Sequence, residues 1–231
     1  MLYFDPVYLL FMLPALIFAG IASAMTTGTF KKYAKVASSS RLTGAQAARA
    51  MLERNGLREV EIRRARGFLS DHYNPANRTL NLSPEVYDSA SLSSIGVACH
   101  EAGHALQHAT GYVPLKLRSV LAPATQFGSY ASYVFIFLGI LLHSMAMAKL
   151  GVAIFALGFI FSIVTLPVEW DASARAKRAM VECGVVGPSE AGDAGKVLNA
   201  AFLTYVAAAV SSLLTLLYYL MRLGLLGGAD D

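Results

Sequence analysis

Residues 8–25 have the sequence YLLFMLPALIFAGIASAM, an apolar run close to the roughly 20 residues that a helix needs to cross a bilayer. The basic residues Lys31, Lys32 and Lys35 follow this run. A cleaved signal peptide carries its positive charges before the apolar segment, whereas here the acidic Asp5 precedes it. The sequence therefore predicts an uncleaved first transmembrane helix within residues 1–25.

Three further apolar runs follow, at about residues 126–147, 151–166 and 202–226. Only a short segment separates the first two, which predicts a transmembrane hairpin over residues 126–166 with a turn that contains Lys149. A fourth helix is expected within residues 202–231, where Arg222 lies near enough to the end to reach the headgroups. Because 55% of the chain is hydrophobic, more than a soluble domain of this size buries, we expect a mainly α membrane protein with about four transmembrane helices.

Most basic residues lie in two segments between these helices. Of the 19 Lys and Arg residues, thirteen lie in residues 26–125 and four in residues 167–201. Positive charge favours the cytoplasmic side, so both segments are predicted to be cytoplasmic, with Asp5, Asp230 and Asp231 on the opposite side. No basic stripe with interleaved aromatic residues is present, so the net charge of +4 is attributed to membrane topology and not to a nucleic-acid partner.

The first of these segments is predicted to form a small α+β domain. Its predicted elements are a helix over residues 43–55, strands over 60–65 and 79–82 with a turn at 74–77, and a helix over 91–108. Thr43 is typical of a helix N-cap and Gly56 of a helix stop. The strand over residues 79–82 is a candidate to pair with an extended substrate.

The predicted helix over residues 91–108 contains His100-Glu101-Ala102-Gly103-His104, an HExxH motif. Two histidines four residues apart share one helical face, so a single cation can reach both imidazoles. Zn²⁺ suits these ligands, and it lowers the pKa of a bound water and polarises a scissile carbonyl. Glu101 is then the expected general base, which takes a proton from the water and delivers it to the leaving amine.

The alternative is that both histidines are ordinary packed or surface residues. Their neighbours on the helix are small and apolar, and polar groups buried among them need a partner, which favours a metal. Gly103 permits another segment to approach the metal face closely, although simple helix packing explains it equally well. Cys99 points about 100° away from His100 and is expected to be a packing residue. With only Cys183 besides, the chain has no disulfide framework.

A catalytic zinc needs a third protein ligand and one open position. Glu169 is the preferred candidate, in the sequence LPVEWDA at residues 166–172. Two predicted crossings separate it from the motif, an even number that returns it to the same side of the membrane. Asp171 is the rival ligand, or else the two acids form an interfacial pair near Arg175 and Arg178. If Glu169 binds the metal, Asp171 is expected to orient a side chain or close the site.

The other histidines are not expected to bind this metal. His108 lies about two helical turns beyond His100, too far along the axis, and is interpreted as a surface or helix-end residue. His72, between the predicted strands, is a minor candidate for stabilising an oxyanion. His143 lies at a predicted membrane edge.

The chain resembles the YugP-type neutral zinc metallopeptidases of bacterial membranes over nearly its whole length. The resemblance is carried by LSPEVY at residues 82–87, ACHEAGHALQH at 98–108 and LPVEWDAS at 166–173. It implies an integral-membrane, gluzincin-like peptidase of a bacterial cell membrane, with a protein or peptide substrate. In the distantly similar HtpX-type and CAAX-prenyl proteases, the two motif histidines and a later glutamate hold zinc, and an aspartate follows that glutamate by four positions. Ser173 stands at this position here.

Two functions follow from these patterns. The first is a zinc-dependent endopeptidase that acts at or near the cytoplasmic face of the membrane. The second is a non-catalytic membrane protein whose closed zinc site joins the motif helix to the third transmembrane helix. Glu101 favours the first, since a structural site has no need of an unliganded carboxylate beside the metal.

Overall fold

The computed structural model describes residues 5–67 and 70–226, and most of them are helical. Its helices are α1 (Pro6–Tyr33), α2 (Gly44–Arg54), α3 (Pro84–Tyr87), α4 (Leu92–Ala109), α5 (Val113–Leu141), α6 (Met145–Glu182) and α7 (Pro188–Arg222). Its strands are β1 (Glu61–Arg64), β2 (His72–Asn74) and β3 (Thr79–Leu82). Asp230 and Asp231, predicted to lie on the non-cytoplasmic side, fall outside the described residues.

Four helices, α1, α5, α6 and α7, are long and apolar enough to cross a membrane. The prediction of a mainly α membrane protein with about four transmembrane helices is therefore confirmed. Helices α1 and α6 extend past their apolar runs at both ends, whereas α5 and α7 begin before their runs and end within them. The longest, α6, has 38 residues and so is about 57 Å long, nearly twice the thickness of a bilayer core. The apolar first part of α6 therefore suits a bilayer core, and its polar second part suits the surroundings outside that core.

The turn of the hairpin differs from the prediction. It lies at residues 142–144, and Lys149 is inside α6. His143 in this turn has a φ of 50°. Ser144 precedes α6, and its hydroxyl accepts a hydrogen bond from the Met147 N–H at 3.4 Å. The prediction was wrong because lysine is a good helix former, whereas a serine before a helix supplies the acceptor that the first N–H groups lack.

The contacts divide the chain into two compact units. The first contains Met1–Ala22, Leu117–Leu166 and Thr204–Asp231, and is built from the apolar parts of the four long helices. The second contains Ser23–Lys116 and Pro167–Leu203, and so includes α2, α3, α4 and the sheet. The polar ends of α1, α6 and α7 also belong to the second unit. Every residue of the candidate site lies in this unit.

The second unit has a hydrophobic core of its own. Its fully buried side chains include Met51, Leu52, Leu80, Ile95 and Met180. Burying one such side chain stabilises the fold by roughly 1.5–3 kcal/mol. These residues come from α2, β3, α4 and α6, so the core fixes α4 against the polar part of α6.

The boundaries that Thr43 and Gly56 predict for α2 are confirmed. The Thr43 hydroxyl accepts a hydrogen bond from the Gln46 N–H at 3.3 Å, and the Gln46 side chain accepts one from the Thr43 N–H at 2.9 Å. Gly56 follows α2 with a φ of 77°, which glycine adopts most readily. Ser91 caps α4 by accepting a hydrogen bond from the Ser94 N–H at 3.2 Å.

The strand order in the sheet is β1-β3-β2, with β3 parallel to β1 and antiparallel to β2. Because β3 is hydrogen-bonded on both sides, the expectation that residues 79–82 pair with an extended substrate is wrong. β2 is not among the predicted elements, since its three residues are too few to show an alternating pattern. It is an outer strand of the sheet and contacts α4.

Candidate metal centre

Three side chains from two helices meet in the second unit. His100 and His104 lie one turn apart on α4, and Glu169 lies on α6. Glu169 Oε2 is 3.1 Å from His100 Nε2 and 3.6 Å from His104 Nε2. Each residue offers a ligand atom within 4.8 Å of the others. Over the ranges 5–67 and 70–226, no other group of three or more His, Cys, Asp or Glu residues has this geometry.

The spacing and the chemistry of this cluster fit a zinc ion. Ligand atoms about 2.0–2.2 Å from a tetrahedral zinc lie roughly 3.3–3.5 Å apart, close to the separations between Glu169 and the two histidines. Two imidazoles and one carboxylate are a ligand set that zinc accepts in catalytic sites, with a fourth position left for water or substrate. His104 is 7% exposed and Glu169 is 1% exposed, and buried charges of this kind are normally paired or bound to a metal.

Gln107 sets the orientation of the His104 ring. The Gln107 amide donates to the Val168 carbonyl and to the Asp171 carboxylate, both at 2.8 Å. Its Oε1 therefore faces His104, whose Nδ1–H donates to it at 2.9 Å. With Nδ1 bonded to Gln107, Nε2 is the ring nitrogen that faces Glu169 and that a metal ion between them would bind. The only sequence signal for this role was a glutamine three residues after His104, and the motif analysis did not use it. The structure shows that this glutamine is fully buried.

Ser173 has the corresponding position beside His100. Its Oγ lies 3.1 Å from His100 Nδ1, within hydrogen-bond distance, and the other ring nitrogen, Nε2, faces Glu169. A serine here orients the ring without adding a negative charge to the site.

Asp171, the rival ligand, lies outside the three-residue cluster. Its Oδ2 accepts hydrogen bonds from Gln107 at 2.8 Å and from Arg175 Nε at 2.6 Å. Asp171 therefore contacts the cluster only through Gln107, which in turn contacts His104. This arrangement agrees with the expectation that Asp171 orients a side chain when Glu169 is the ligand.

Gly103 allows α4 and α6 to come into direct contact. A Cβ atom at this position would lie 2.6 Å from the carbonyl oxygen of Ala172, a distance that real side chains essentially never show. Ala172 lies less than one turn beyond Glu169. The contact at Gly103 therefore brings the Glu169 side chain within reach of the two histidines. This agrees with the expectation that Gly103 lets another segment approach the metal face closely.

Glu101 lies beside the cluster and is held by the outer strand β2. Its Oε2 accepts a hydrogen bond from the Tyr73 N–H at 3.0 Å. The Tyr73 hydroxyl is also 2.8 Å from His108 Nδ1, so this one residue contacts α4 at two points. The Tyr73 contact uses one of the two Glu101 carboxylate oxygens. Sequence analysis missed Tyr73 because its contact with Glu101 is made by the backbone and does not depend on the residue type.

The charges around the cluster favour a bound cation. Burial opposes protonation of His104, but the hydrogen bond with Glu169 and the charge of Glu101 outweigh it and raise the pKa of His104. Burial raises the pKa of Asp71, and the nearby Glu101 charge adds to the rise.

Cys99 is fully buried in the core, in agreement with the prediction that it is a packing residue. Burial raises the pKa of its thiol.

His108 and His72 lie outside the three-residue cluster. His108 is in the last turn of α4, as predicted for a helix-end residue, and contacts Tyr73. His72 is exposed on β2, with Nδ1 2.8 Å from the Ser70 carbonyl oxygen. Its role in stabilising an oxyanion stays a prediction.

Comparison with known proteins places the chain in a family. One family, described as "Putative neutral zinc metallopeptidase", matches residues 8–224. The chain is also similar to the "Putative membrane protease YugP" of Bacillus subtilis (strain 168), with 45% identity over 202 residues that cover 87% of this chain and 89% of that protein. No solved structure matches the chain. The resemblance inferred from the three motif segments is therefore confirmed.

Proposed function

The chain belongs to the family described as "Putative neutral zinc metallopeptidase", and from this premise we propose that it is a zinc-dependent endopeptidase with Glu101 as its general base. His100, His104 and Glu169 are the proposed zinc ligands. One observation carries the proposal: the Glu169 carboxylate of α6 lies 3.1 Å and 3.6 Å from the Nε2 atoms of the two motif histidines.

A zinc ion at this site supplies a water of lowered pKa and polarises the carbonyl of the substrate. Glu101 accepts the proton of the attacking water through the carboxylate oxygen that does not contact Tyr73, and then donates it to the leaving amine. The Tyr73 N–H holds the carboxylate in place through its hydrogen bond to Oε2. Ser173 and Gln107 keep both histidine rings oriented during this proton transfer.

A structural zinc site in a non-catalytic membrane protein is the alternative function. Structural sites are closed by four protein ligands. Among the described residues, the cluster offers three. Glu101 is next to the cluster, but its Oε2 contacts the Tyr73 N–H instead of a fourth ligand position. This arrangement supports the catalytic function over the structural one.

We infer that the substrates are proteins or peptides and that cleavage occurs at the cytoplasmic face of the cell membrane. Glu169 follows the apolar run that ends at Leu166, on the same uninterrupted helix. A ligand so close to the end of a transmembrane run favours substrates near the membrane surface. The excess of basic residues in residues 26–125 and 167–201 supports the cytoplasmic side.

A pocket of about 330 Å³ beside Tyr73 is the proposed subsite for a substrate side chain. Its walls include His108 of α4 and the ion pair of Glu59 with Arg78, which are 3.6 Å apart. His108 lies about two turns from Glu101 on the same side of α4, so the pocket lies on the side of this helix that bears the proposed base. Its charged walls support a preference for a polar side chain.

The test is Glu101→Gln, analysed for bound zinc and for digestion of casein. Removal of a general base is expected to lower kcat by about 10²- to 10⁴-fold while the zinc content stays at the wild-type level. Glu85→Gln is the matched control, since Glu85 is an exposed acid of the same unit, and it should keep full activity. Wild-type activity in Glu101→Gln would rule out the proposed mechanism. A wild-type protein that binds zinc and cleaves no peptide would favour the structural site.

A further inference from the structure

A groove of about 530 Å³ lies between α1, α6 and α7 in the second unit. Its walls at one end are apolar and at the other end are polar. The apolar end contains Met25, Phe202 and Leu203, and the polar end contains Lys32, Lys196 and Asn199. The zinc ligands and the pocket beside Tyr73 are not part of it.

Two hydrogen bonds fix how α1 and α7 line up along this groove. The Thr26 hydroxyl donates to the Ala200 carbonyl at 2.7 Å, and the Tyr33 hydroxyl donates to the Asp193 carboxylate at 3.0 Å. The partners are separated by the same seven positions on each helix, in opposite directions. The helices are therefore antiparallel and in register over about 10 Å. Apolar residues of both helices lie at one level and their lysines at the other.

The polar end presents mainly hydrogen-bond donors. The Lys177 ammonium donates to Asn199 Oδ1 at 2.6 Å, which leaves the Asn199 amide N–H groups as the part of that side chain able to donate. Lys32 lies over the Tyr33 ring, 5.2 Å from its centroid. Asp193 is paired with Lys196 at 2.7 Å. Two lysines, Lys32 and Lys196, line the groove, and Lys177 adds a third positive charge beside Asn199. The excess of positive charge and donors suits a phosphate group.

Trp170 completes the wall of the groove on α6. Its side chain is 62% exposed, and its ring meets Phe202 edge to face with centroids 5.4 Å apart. Exposed tryptophans of membrane proteins concentrate at the level of the headgroups, where an apolar body and a polar N–H are both satisfied. The groove is thus complementary to an anionic phospholipid. Its apolar end suits an acyl chain, its cationic end suits the phosphate, and Trp170 in its wall suits the headgroup region.

We propose that this groove binds one anionic phospholipid. The phosphate lies against Lys32, Lys196 and Asn199, and the start of an acyl chain lies against Met25 and Phe202. Basic sites between transmembrane helices bind lipid headgroups in this way. The proposal concerns lipid recognition and does not depend on hydrolysis.

The test uses Trp170 as a reporter, because it is the only tryptophan among the 231 residues. The full chain is placed in phosphatidylcholine vesicles, and a rising fraction of lipid is replaced by acyl-brominated phosphatidylglycerol or acyl-brominated phosphatidylcholine. Bromine quenches tryptophan only at close range. The anionic lipid is expected to quench Trp170 at a lower mole fraction than the zwitterionic lipid. Lys32→Gln and Lys196→Gln should each reduce this preference about fivefold.

Lys31→Gln is the matched control, since Lys31 is the neighbouring charge on α1 and does not line the groove. It should keep the wild-type preference. Equal quenching by both lipids would overturn the proposal, as would an equal loss of preference in Lys31→Gln, which indicates a general surface potential. Relief of quenching by inorganic phosphate would identify a free anion site instead. Quenching that depends on protein concentration and not on lipid type would identify a second copy of the chain as the occupant.

Discussion

Gly103→Ala tests whether the contact between α4 and α6 positions the proposed third ligand. The added Cβ would lie 2.6 Å from the Ala172 oxygen, whereas real Cβ atoms stay beyond 3.0 Å, so the helices must separate by at least about 0.4 Å. Ala172 and Glu169 share the same stretch of α6 and move together. Metal–ligand distances in zinc sites stay within about 0.2 Å of their usual values. We therefore expect zinc affinity to fall about 10- to 100-fold, a loss comparable to that of a lost orienting contact.

The measurement is a competition titration of the purified protein with a chromophoric zinc chelator, together with thermal unfolding of the metal-free protein. Overpacking is expected to cost about 1–3 kcal/mol of stability besides the loss of affinity. Gly96→Ala is the control on the same helix, because its Cβ would lie 3.3 Å from the Ala194 oxygen, a tight but attainable contact. This variant should bind zinc normally. A Gly103→Ala protein with wild-type zinc affinity would show that Glu169 is not positioned by this contact, or is not a ligand.

Three further predictions concern the surroundings of the cluster. Ser173→Ala removes the hydrogen-bond partner of His100 Nδ1 and should weaken zinc binding about 10- to 100-fold in the same titration; unchanged affinity would show that Ser173 does not orient the His100 ring. Chelation with EDTA should lower the unfolding temperature in calorimetry, because zinc at about 1,000 times its Kd stabilises the folded state by about 4.1 kcal/mol, and zinc but not magnesium should restore it. Tyr73→Pro removes the N–H that Glu101 accepts, whereas Tyr73→Ala keeps it. The proline variant should have a kcat about 10- to 100-fold below that of the alanine variant, and equal values would show that this N–H does not support the base.

The fold was predictable where a local pattern decides the structure. Each long apolar run gives a transmembrane helix in any context, and Thr43 and Ser91 cap helices through acceptors that act within three residues. Prediction failed where two patterns competed or where the signal was too short. Lys149 resembles a turn residue between apolar runs, but its helix propensity and the cap at Ser144 place it inside α6.

The candidate site divides in the same way. His100, Glu101 and His104 form a local motif, so one sequence suffices to find them. Glu169 lies 69 positions from His100, and only the expected topology and the family resemblance pointed to it.

The contacts that orient His104 and Glu101 could hardly be predicted from the sequence, because they depend on which atoms face each other after packing. A glutamine can donate or accept, and Gln107 becomes an acceptor for His104 only because Val168 and Asp171 take both of its N–H groups. The Tyr73 contact with Glu101 is made by a backbone N–H that any residue except proline supplies. The motif therefore identifies the two proposed histidine ligands, whereas the position of Glu169 and the orientation of all three side chains follow from the packing of α4 against α6 and β2.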